Sequence, residues 1–314
     1  MGLKATGERS NTIKLDNNAE MNSVDTAGVE DLMDTIEEVK PCWTKPSPNV
    51  VVVARYLGAT FVLPDIRGNE LGNKRKFQDM YNVDKFVRSL DGVVEVIDEI
   101  PDEVISLRPK ETSNKNLDAT ACLAMFSGLE LKHEYSEVAR KMLDRLQELS
   151  KKSDWKVLAI VLEKKSCKTT SGARRKGCYN PDEVLDFLRS VGFSANTTIY
   201  LTETWWHKGL NDLKEEFPNT YTKDDIMPAE NKGEFLKSSN VDLARALDLE
   251  ICSQSDMFIP AVAGLFYEHV TGKRIASGRT QIIVPSQSST STHASDLTST
   301  YISNKNHLAY TCYC

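Results

Sequence analysis

The sequence predicts an α/β protein whose C-terminal half is a mostly parallel, Rossmann-like sheet with helices on both faces. Three observations predict this. From residue 155 onward, short apolar runs alternate with segments of helical period, the pattern of strands joined by crossover helices. The runs Val157–Leu162, Thr198–Leu201 and Met257–Pro260 are apolar at nearly every position, as strands covered on both faces must be. The chain has 314 residues, 40% hydrophobic and 27% charged, which is enough for two lobes of ordinary domain size.

Residues 1–48 read as a tail and linker. Residues 1–39 are polar and acidic, with little periodicity before Val29–Val39, and are expected to be disordered. Pro41, Pro46 and Pro48 then punctuate a linker around Trp43. A first lobe is expected over 49–150. Its four valines, Val50–Val53, read as a strand on propensity, while Ala54–Gly58 reads as a helix end with Gly at the C-cap. Thr60–Leu63 is a strand stopped by Pro64, Asp65–Arg75 a charged, Gly-containing loop, Asp84–Leu90 a short helix, and Val93–Ile97 a strand. Val104–Asn116 is a polar connector, and Ala119–Leu131 is apolar. Val138, Met142, Leu146 and Leu149 fall on one stripe, so Glu134–Leu149 is an amphipathic helix.

The second lobe is expected over 151–285. Strand Val157–Leu162 is followed by a strongly basic loop, Glu163–Gly177, whose Arg174, Arg175 and Lys176 either face an anion or are simply solvated. Asn180 as N-cap, Pro181 at the first helical position and Gly192 past the end define a helix over Pro181–Val191. Strand Thr198–Leu201 and helices Leu210–Phe217 and Val241–Cys252 follow. Next come a polar break at Ser253–Asp256, strand Met257–Pro260, a turn at Gly264, a helix ending in Lys273-Arg274, and a β-rich run over Gln281–Val284. Residues 286–314 are a Ser/Thr-rich segment and then an aromatic stretch, Tyr301–Cys314, expected to pack back on the body.

Net charge −6 argues against a nucleic-acid partner. No apolar run approaches the ~20 residues of a membrane span, and no signal-peptide core is visible, so the chain as written is expected to be soluble. Dinucleotide and ATP glycine fingerprints are absent. The seven cysteines form no CxxC and no zinc spacing, so no metal is expected. Cys167 and Cys178 flank the basic loop; they pair in an oxidising compartment or remain two free thiols. Asn196-Thr197-Thr198 is a glycosylation sequon, relevant only on the secretory route.

Ligands of open α/β sheets sit beyond strand carboxyl ends and at helix N-termini. Several residues are candidates on that rule. Ser255 and Asp256 either cap a turn or meet a ligand. Gly264 and Leu265 open a helix whose N–H groups suit a phosphate, or form a plain tight turn. Phe258 is a core strand residue or a stacking partner. Lys273 and Arg274 reach phosphate or form a solvated helix end, where cations are favoured in any case. Trp205-Trp206 ends a strand and suits stacking on sugar, with one of the pair expected in the core. His207 has no nameable partner, and no general base is evident.

GCYNPDEVLDFLRSVGFSANTTIYLT and SQSDMFIPAVAGLFYEHVTGKRIA resemble the plant O-fucosyltransferase-like family. PCWTKPS, GATFVLPDIRG, KFQDMYNVDKFVRSLDGVVEVI, ACLAMFSGLEL and ISNKNHLAYTCYC are similar to its mannan-synthesis-related branch. The resemblance covers most of Lys40–Cys314. It implies a GT-B-like fold of two Rossmann-like lobes and inverting, metal-independent transfer without a cofactor. The donor would be a nucleotide sugar such as GDP-fucose, and the acceptor a glycan or glycoprotein hydroxyl. It further implies a Golgi location and a role in mannan or pectin synthesis. On this resemblance Ser255 and Asp256 match a donor-binding Ser-Asp, the Asp accepting from guanine or ribose. Phe258, Gly264 and Leu265 lie on the donor side, and Lys273, Arg274 and Trp205 are phosphate or acceptor contacts.

The chain departs from the family pattern in four places. PCWTKPSPN runs almost directly into VVVVARYLGA where the family has a strand and a Gly/Asn loop, so the N-terminal lobe is incomplete and Val50–Leu57 becomes the remnant of a helix. A second segment is missing near Leu107–Asn116. Strand Val157–Leu162 is not followed by the family's diphosphate-facing Arg, only by Lys164 and Lys165, which lack the bidentate fork. The membrane anchor is missing as well. These departures support a second expectation: a catalytically inactive accessory subunit of a Golgi polysaccharide synthase, or a truncated gene product.

Overall fold

Four parallel strands organise the C-terminal half: β5 (Val157–Val161), β6 (Thr198–Leu201), β7 (Thr220–Tyr221) and β8 (Met257–Pro260), in spatial order β7-β6-β5-β8. The molecule is described by a computed structural model covering residues 48–67, 74–97, 119–152, 156–162, 178–237, 240–261, 264–286, 297–299, 301–307 and 309–313. The expected N-terminal tail, the connector Val104–Asn116, the basic loop 163–177 with Cys167, and most of Ser286–Thr300 lie outside those residues.

Successive side chains of a strand point to opposite faces, and both faces of this sheet are covered. Val157, Ala159, Tyr200 and Phe258 pack with α5 (His133–Ser150), α10 (Val241–Gln254) and α11 (Leu265–Ala276), through Met142, Leu146, Leu247 and Val270. Leu158, Ile160, Ile199, Leu201 and Ile259 pack on the other face with α6 (Pro181–Val191) and α7 (Asn211–Glu216), through Val184, Leu188 and Leu213. This double burial explains the uninterrupted VLAIV run; each fully buried Val, Leu or Ile side chain contributes roughly 1.5–3 kcal/mol. Helix α6 has the expected ends. Asn180 Oδ1 accepts from the Glu183 N–H at 2.9 Å, Glu183 Oε2 accepts from the Asn180 N–H at 3.0 Å, and Gly192 takes φ 87°.

The N-terminal half is smaller. Helix α1 (Pro48–Leu57) overrides the β propensity of its valines because Val51 and Ala54 are buried in a second core with Phe61, Phe77, Phe86 and Leu90. β1 (Phe61–Val62) pairs in parallel with β4 (Val96–Ile97), a shorter strand than Val93–Ile97 suggested. Asp65–Arg75 is more than a loop: β2 (Ile66–Arg67) pairs antiparallel with β3 (Lys74–Arg75). Short helices α2 (Phe77–Met80) and α3 (Val83–Ser89) follow. The apolar stretch 119–131 begins as α4 (Ala119–Cys122) and widens into a π-helical turn, Leu123–Gly128.

Several contacts join the two halves. Ala246 of α10 enters the N-terminal core, Arg75 donates to Asn240 Oδ1 at 2.6 Å, and Phe126 packs where Gly272 of α11 leaves room. Residues 220–237, left unassigned by the sequence patterns, form β7 and two short helices, α8 (Lys223–Ile226) and α9 (Ala229–Phe235). Gln281–Val284 is not a strand: it makes a single bridge to β8, Phe258↔Ile282, after which Pro285 is bridged to Thr298. The C-terminal stretch buries Ile302 and Ala309 in the main core, and Cys312 in α12 (Ala309–Tyr313) is disulfide-bonded to Cys122, 190 residues away.

Candidate functional site

In the order β7-β6-β5-β8 the chain runs outward from β5 through β6 to β7, then returns to the other side of β5 with β8. The strand order reverses between β5 and β8, and a crevice opens beyond the carboxyl ends of strands at such a point. The Ala261 N–H donates to the Val161 carbonyl at 3.1 Å, and the Tyr179 N–H donates to the Ala261 carbonyl at 2.9 Å. Tyr179 in turn donates its hydroxyl to the Ser286 carbonyl at 2.9 Å, fixing the segment that follows the basic loop. Gly264 takes φ 134° and ψ −177°, a region open to glycine, and Leu265 starts helix α11. The carboxyl ends of β5 and β8 therefore lie beside the N-terminus of a three-turn helix, where backbone N–H groups and the helix dipole favour an anion. Thr202, the buried Glu203 and Trp205 leave β6 at the same edge.

Ser255, Asp256 and Arg274 stand at the opposite, amino edge. Asp256 Oδ2 accepts from the Val157 N–H at 2.8 Å and so closes the start of β5. Ser255 is buried, its hydroxyl donating to the Cys252 carbonyl at 3.1 Å. Arg274 corrects the expectation of a solvated helix end or phosphate contact, since it is 0% exposed. Its guanidinium donates to the carbonyls of Cys252 (2.9 Å), Ser255 (2.7 Å), Asp256 (3.0 Å) and Gln281 (3.1 Å). Burial pushes its pKa down to about 10, which leaves it charged at neutral pH. Lys273 faces Glu250 at 3.4 Å. Phe258 is fully buried in the sheet core.

The two tryptophans differ from expectation as well. Neither is core: Trp205 is 52% and Trp206 36% exposed. Asn196 of the sequon is exposed in the turn before β6. Cys178 is disulfide-bonded, while Cys167 lies outside the described residues. Among the described residues no group of acidic, His or Cys side chains could hold a metal.

The sequence patterns missed a buried ionic cluster beneath β6. Lys223 Nζ donates to Asp248 Oδ2 at 2.7 Å and to the Thr202 carbonyl at 3.2 Å, and the Tyr200 hydroxyl donates to Asp248 Oδ1 at 2.6 Å. Burial raises the Asp248 pKa while Lys223 opposes the rise, and burial raises those of Tyr200 and Cys252. The carbonyl bond to Thr202 ties this cluster to the carboxyl edge. A lysine and an aspartate at unrelated sequence positions give no local signal of such a pair.

The family model for GDP-fucose protein O-fucosyltransferase matches residues 47–169 and 129–277. The chain belongs to that family. MANNAN SYNTHESIS-RELATED 1 of Arabidopsis thaliana is 41% identical, covering 85% of this chain and 74% of that protein. MANNAN SYNTHESIS-RELATED 2 of the same plant is 37% identical over 355 residues, covering 90% and 84%. O-fucosyltransferase 11, also of Arabidopsis thaliana, is 23% identical over 76% of this chain and 55% of that protein. No solved structure matches. The 355-residue alignment is longer than the chain's 314 residues, so that relative carries residues with no counterpart here. No described helix is long and apolar enough to cross a membrane.

Proposed function

We propose that this chain is a glycosyltransferase-type protein of plant cell-wall polysaccharide synthesis, with a GT-B-like donor lobe. It takes a nucleoside diphosphate sugar, GDP-fucose being the first candidate, at the carboxyl edge between β5 and β8. The observation that carries this reading is the reversal of strand order beside Gly264 and the start of α11, in a chain of this family. The diphosphate lies against the N–H groups that follow Gly264, and Leu265 belongs to that contact. Ser255 and Asp256, expected at the donor, instead hold the amino edge that supports it. Transfer is inverting: the acceptor hydroxyl, of a glycan or a protein, forms a bond to the anomeric carbon as the bond to the diphosphate breaks. The electron pair leaves with the nucleoside diphosphate, and the hydroxyl proton passes to the departing diphosphate or to solvent. The disulfide Cys122–Cys312 suits an oxidising lumen such as the Golgi, since disulfides persist in such compartments.

One observation favours a second reading. The sequence directly after β5 is Leu162-Glu163-Lys164-Lys165, without the strand-end arginine that the family resemblance puts there to stabilise charge on the leaving group. A chain that binds nucleotide sugar without turnover, as accessory to a polysaccharide synthase, is consistent with that.

Calorimetric titration with GDP and GDP-fucose tests the site. The proposal expects binding by the wild type, loss in Gly264→Val, and retention in Asp256→Ala with lowered stability. Absence of heat with both nucleotides would end the donor reading. Loss of binding in Asp256→Ala with unchanged melting would move the donor to the amino edge. Sugar transfer to an acceptor, measured by product mass, separates the transferase from the accessory subunit.

A further inference from the structure

We infer that Trp205 and Trp206 form a stacking platform for a neutral hexopyranose chain, the acceptor side of the carboxyl edge. This rests on the donor reading for its place in a reaction, but not for its binding. Large apolar side chains are ordinarily buried, and among the described residues the strongly exposed ones are Leu57, Val241 and this pair. The tryptophans are adjacent, aromatic, and four residues past the end of β6, on the edge where Gly264 opens α11.

The pair is also held in place. The Trp206 indole N–H donates to Asn211 Oδ1 at 3.0 Å, and Lys214 Nζ lies 5.4 Å from its ring centroid. Lys214 is itself fixed by donating to the Thr220 carbonyl at 2.5 Å. A ring held this way loses little freedom when a ligand stacks on it. Trp205, the more exposed of the two, presents the freer surface.

Charge selects the sugar class. Asn211, the partner of Trp206, is followed by Asp212, which lines a groove of about 440 Å³ between α6 and α7 with Asp182, Asp186, Glu215 and Glu216. The one cation lining that groove, Arg189, is taken by Glu216 at 2.5 Å and Asp186 at 3.4 Å. Ionised carboxylates accept hydrogen bonds from sugar hydroxyls and repel uronic acids. Lys214, the cation beside the Trp206 ring, is held by the Thr220 carbonyl, and the groove's five carboxylates outnumber it, so a polyuronate is disfavoured here and a neutral, hydroxyl-rich chain is admitted.

The test uses the full chain without nucleotide. Mannohexaose and hexagalacturonate are titrated while intrinsic tryptophan fluorescence and heat are followed. A saturable response to mannohexaose is expected, weakened at least about tenfold in Trp205→Ala. No response to hexagalacturonate is expected, and Trp205→Ala should keep the wild-type melting temperature because the side chain is exposed. No saturable response to mannohexaose would overturn the proposal. So would unchanged affinity in Trp205→Ala, or equally tight hexagalacturonate binding. Because no nucleotide is present, failure of GDP to bind would retire the donor reading and leave this result standing.

Discussion

Replacing Arg274 with methionine keeps the length and apolar stem of the side chain but removes the guanidinium that draws four backbone carbonyls together. The Cys252 carbonyl retains the Ser255 hydroxyl, and the Gln281 carbonyl retains the Phe258 N–H at 3.1 Å. The carbonyls of Ser255 and Asp256 are taken as the two left bare, at about 1–3 kcal/mol each, with smaller losses at the other two. Removing the buried charge offsets part of this, since desolvation already depresses the Arg274 pKa. The expected net cost is about 3–5 kcal/mol, a fall in Tm on the order of 10 °C. Arg274→Lys keeps the charge but not the planar fork, and should lose about half as much. Thermal unfolding followed by circular dichroism measures both. A Tm for Arg274→Met within about 2 °C of wild type would refute the clamp, because it would mean that water or a rearranged donor satisfies those carbonyls.

Other outcomes follow from the same reasoning. Lys223→Met leaves the buried Asp248 without its cation and should cost roughly 3–5 kcal/mol in urea titrations, whereas adding Asp248→Leu and Tyr200→Phe, which remove the carboxylate and the hydroxyl that donates to it, should recover much of it. His269 is buried beside Phe126 with Nε2 unpartnered, and burial lowers its pKa to about 3. Below its ordinary value of about 6.5 the unfolded chain takes up a proton that the folded chain refuses, so stability falls as pH drops from 6.5 toward 3, by at most about 1.4 kcal/mol per pH unit. His269→Leu should flatten that part of the pH–stability curve; an unchanged slope would show that other groups set it. Gly272→Ala places a Cβ 2.0 Å from the Phe126 ring and should destabilise by about 1–3 kcal/mol, with Phe126→Leu relieving the clash in the double variant.

What was readable in the sequence was what local chemistry decides. Asn180, Pro181 and Gly192 mark both ends of α6 because caps act over three or four residues. The VLAIV run gives a strand covered on both faces for the same reason. Val50–Val53 misled on propensity alone, because burial of Val51 and Ala54 against the aromatic core outweighs a preference worth a fraction of a kcal/mol per residue. Gly264 was legible as the residue opening the helix after β8, whereas Ser255 and Asp256 carried a motif without revealing which edge of the sheet they occupy. The direction of β8 decides that: residues before a parallel strand stand at its amino edge. Arg274 looked like a surface cation because its burial depends on carbonyls from two separate segments, 252–256 and Gln281. Lys223, Asp248 and Tyr200, like Cys122 and Cys312, meet only after the chain has folded, and no local pattern marks any of them.

The bond between Cys122 and Cys312 turns the sheet-bearing half into a covalent circle. Every strand from β5 to β8 and every loop between them lies within the ring. A protease that cuts once inside this circle opens it without parting the pieces, so the nicked protein should migrate as one species on a non-reducing gel and as two after dithiothreitol. The circle also limits how far the denatured chain spreads, worth about 5 kcal/mol for a ring of this size on the chain-entropy account. An enzymatic nick between β5 and β8 therefore leaves both pieces joined, and each can find the other again at the effective concentration that the covalent link sets.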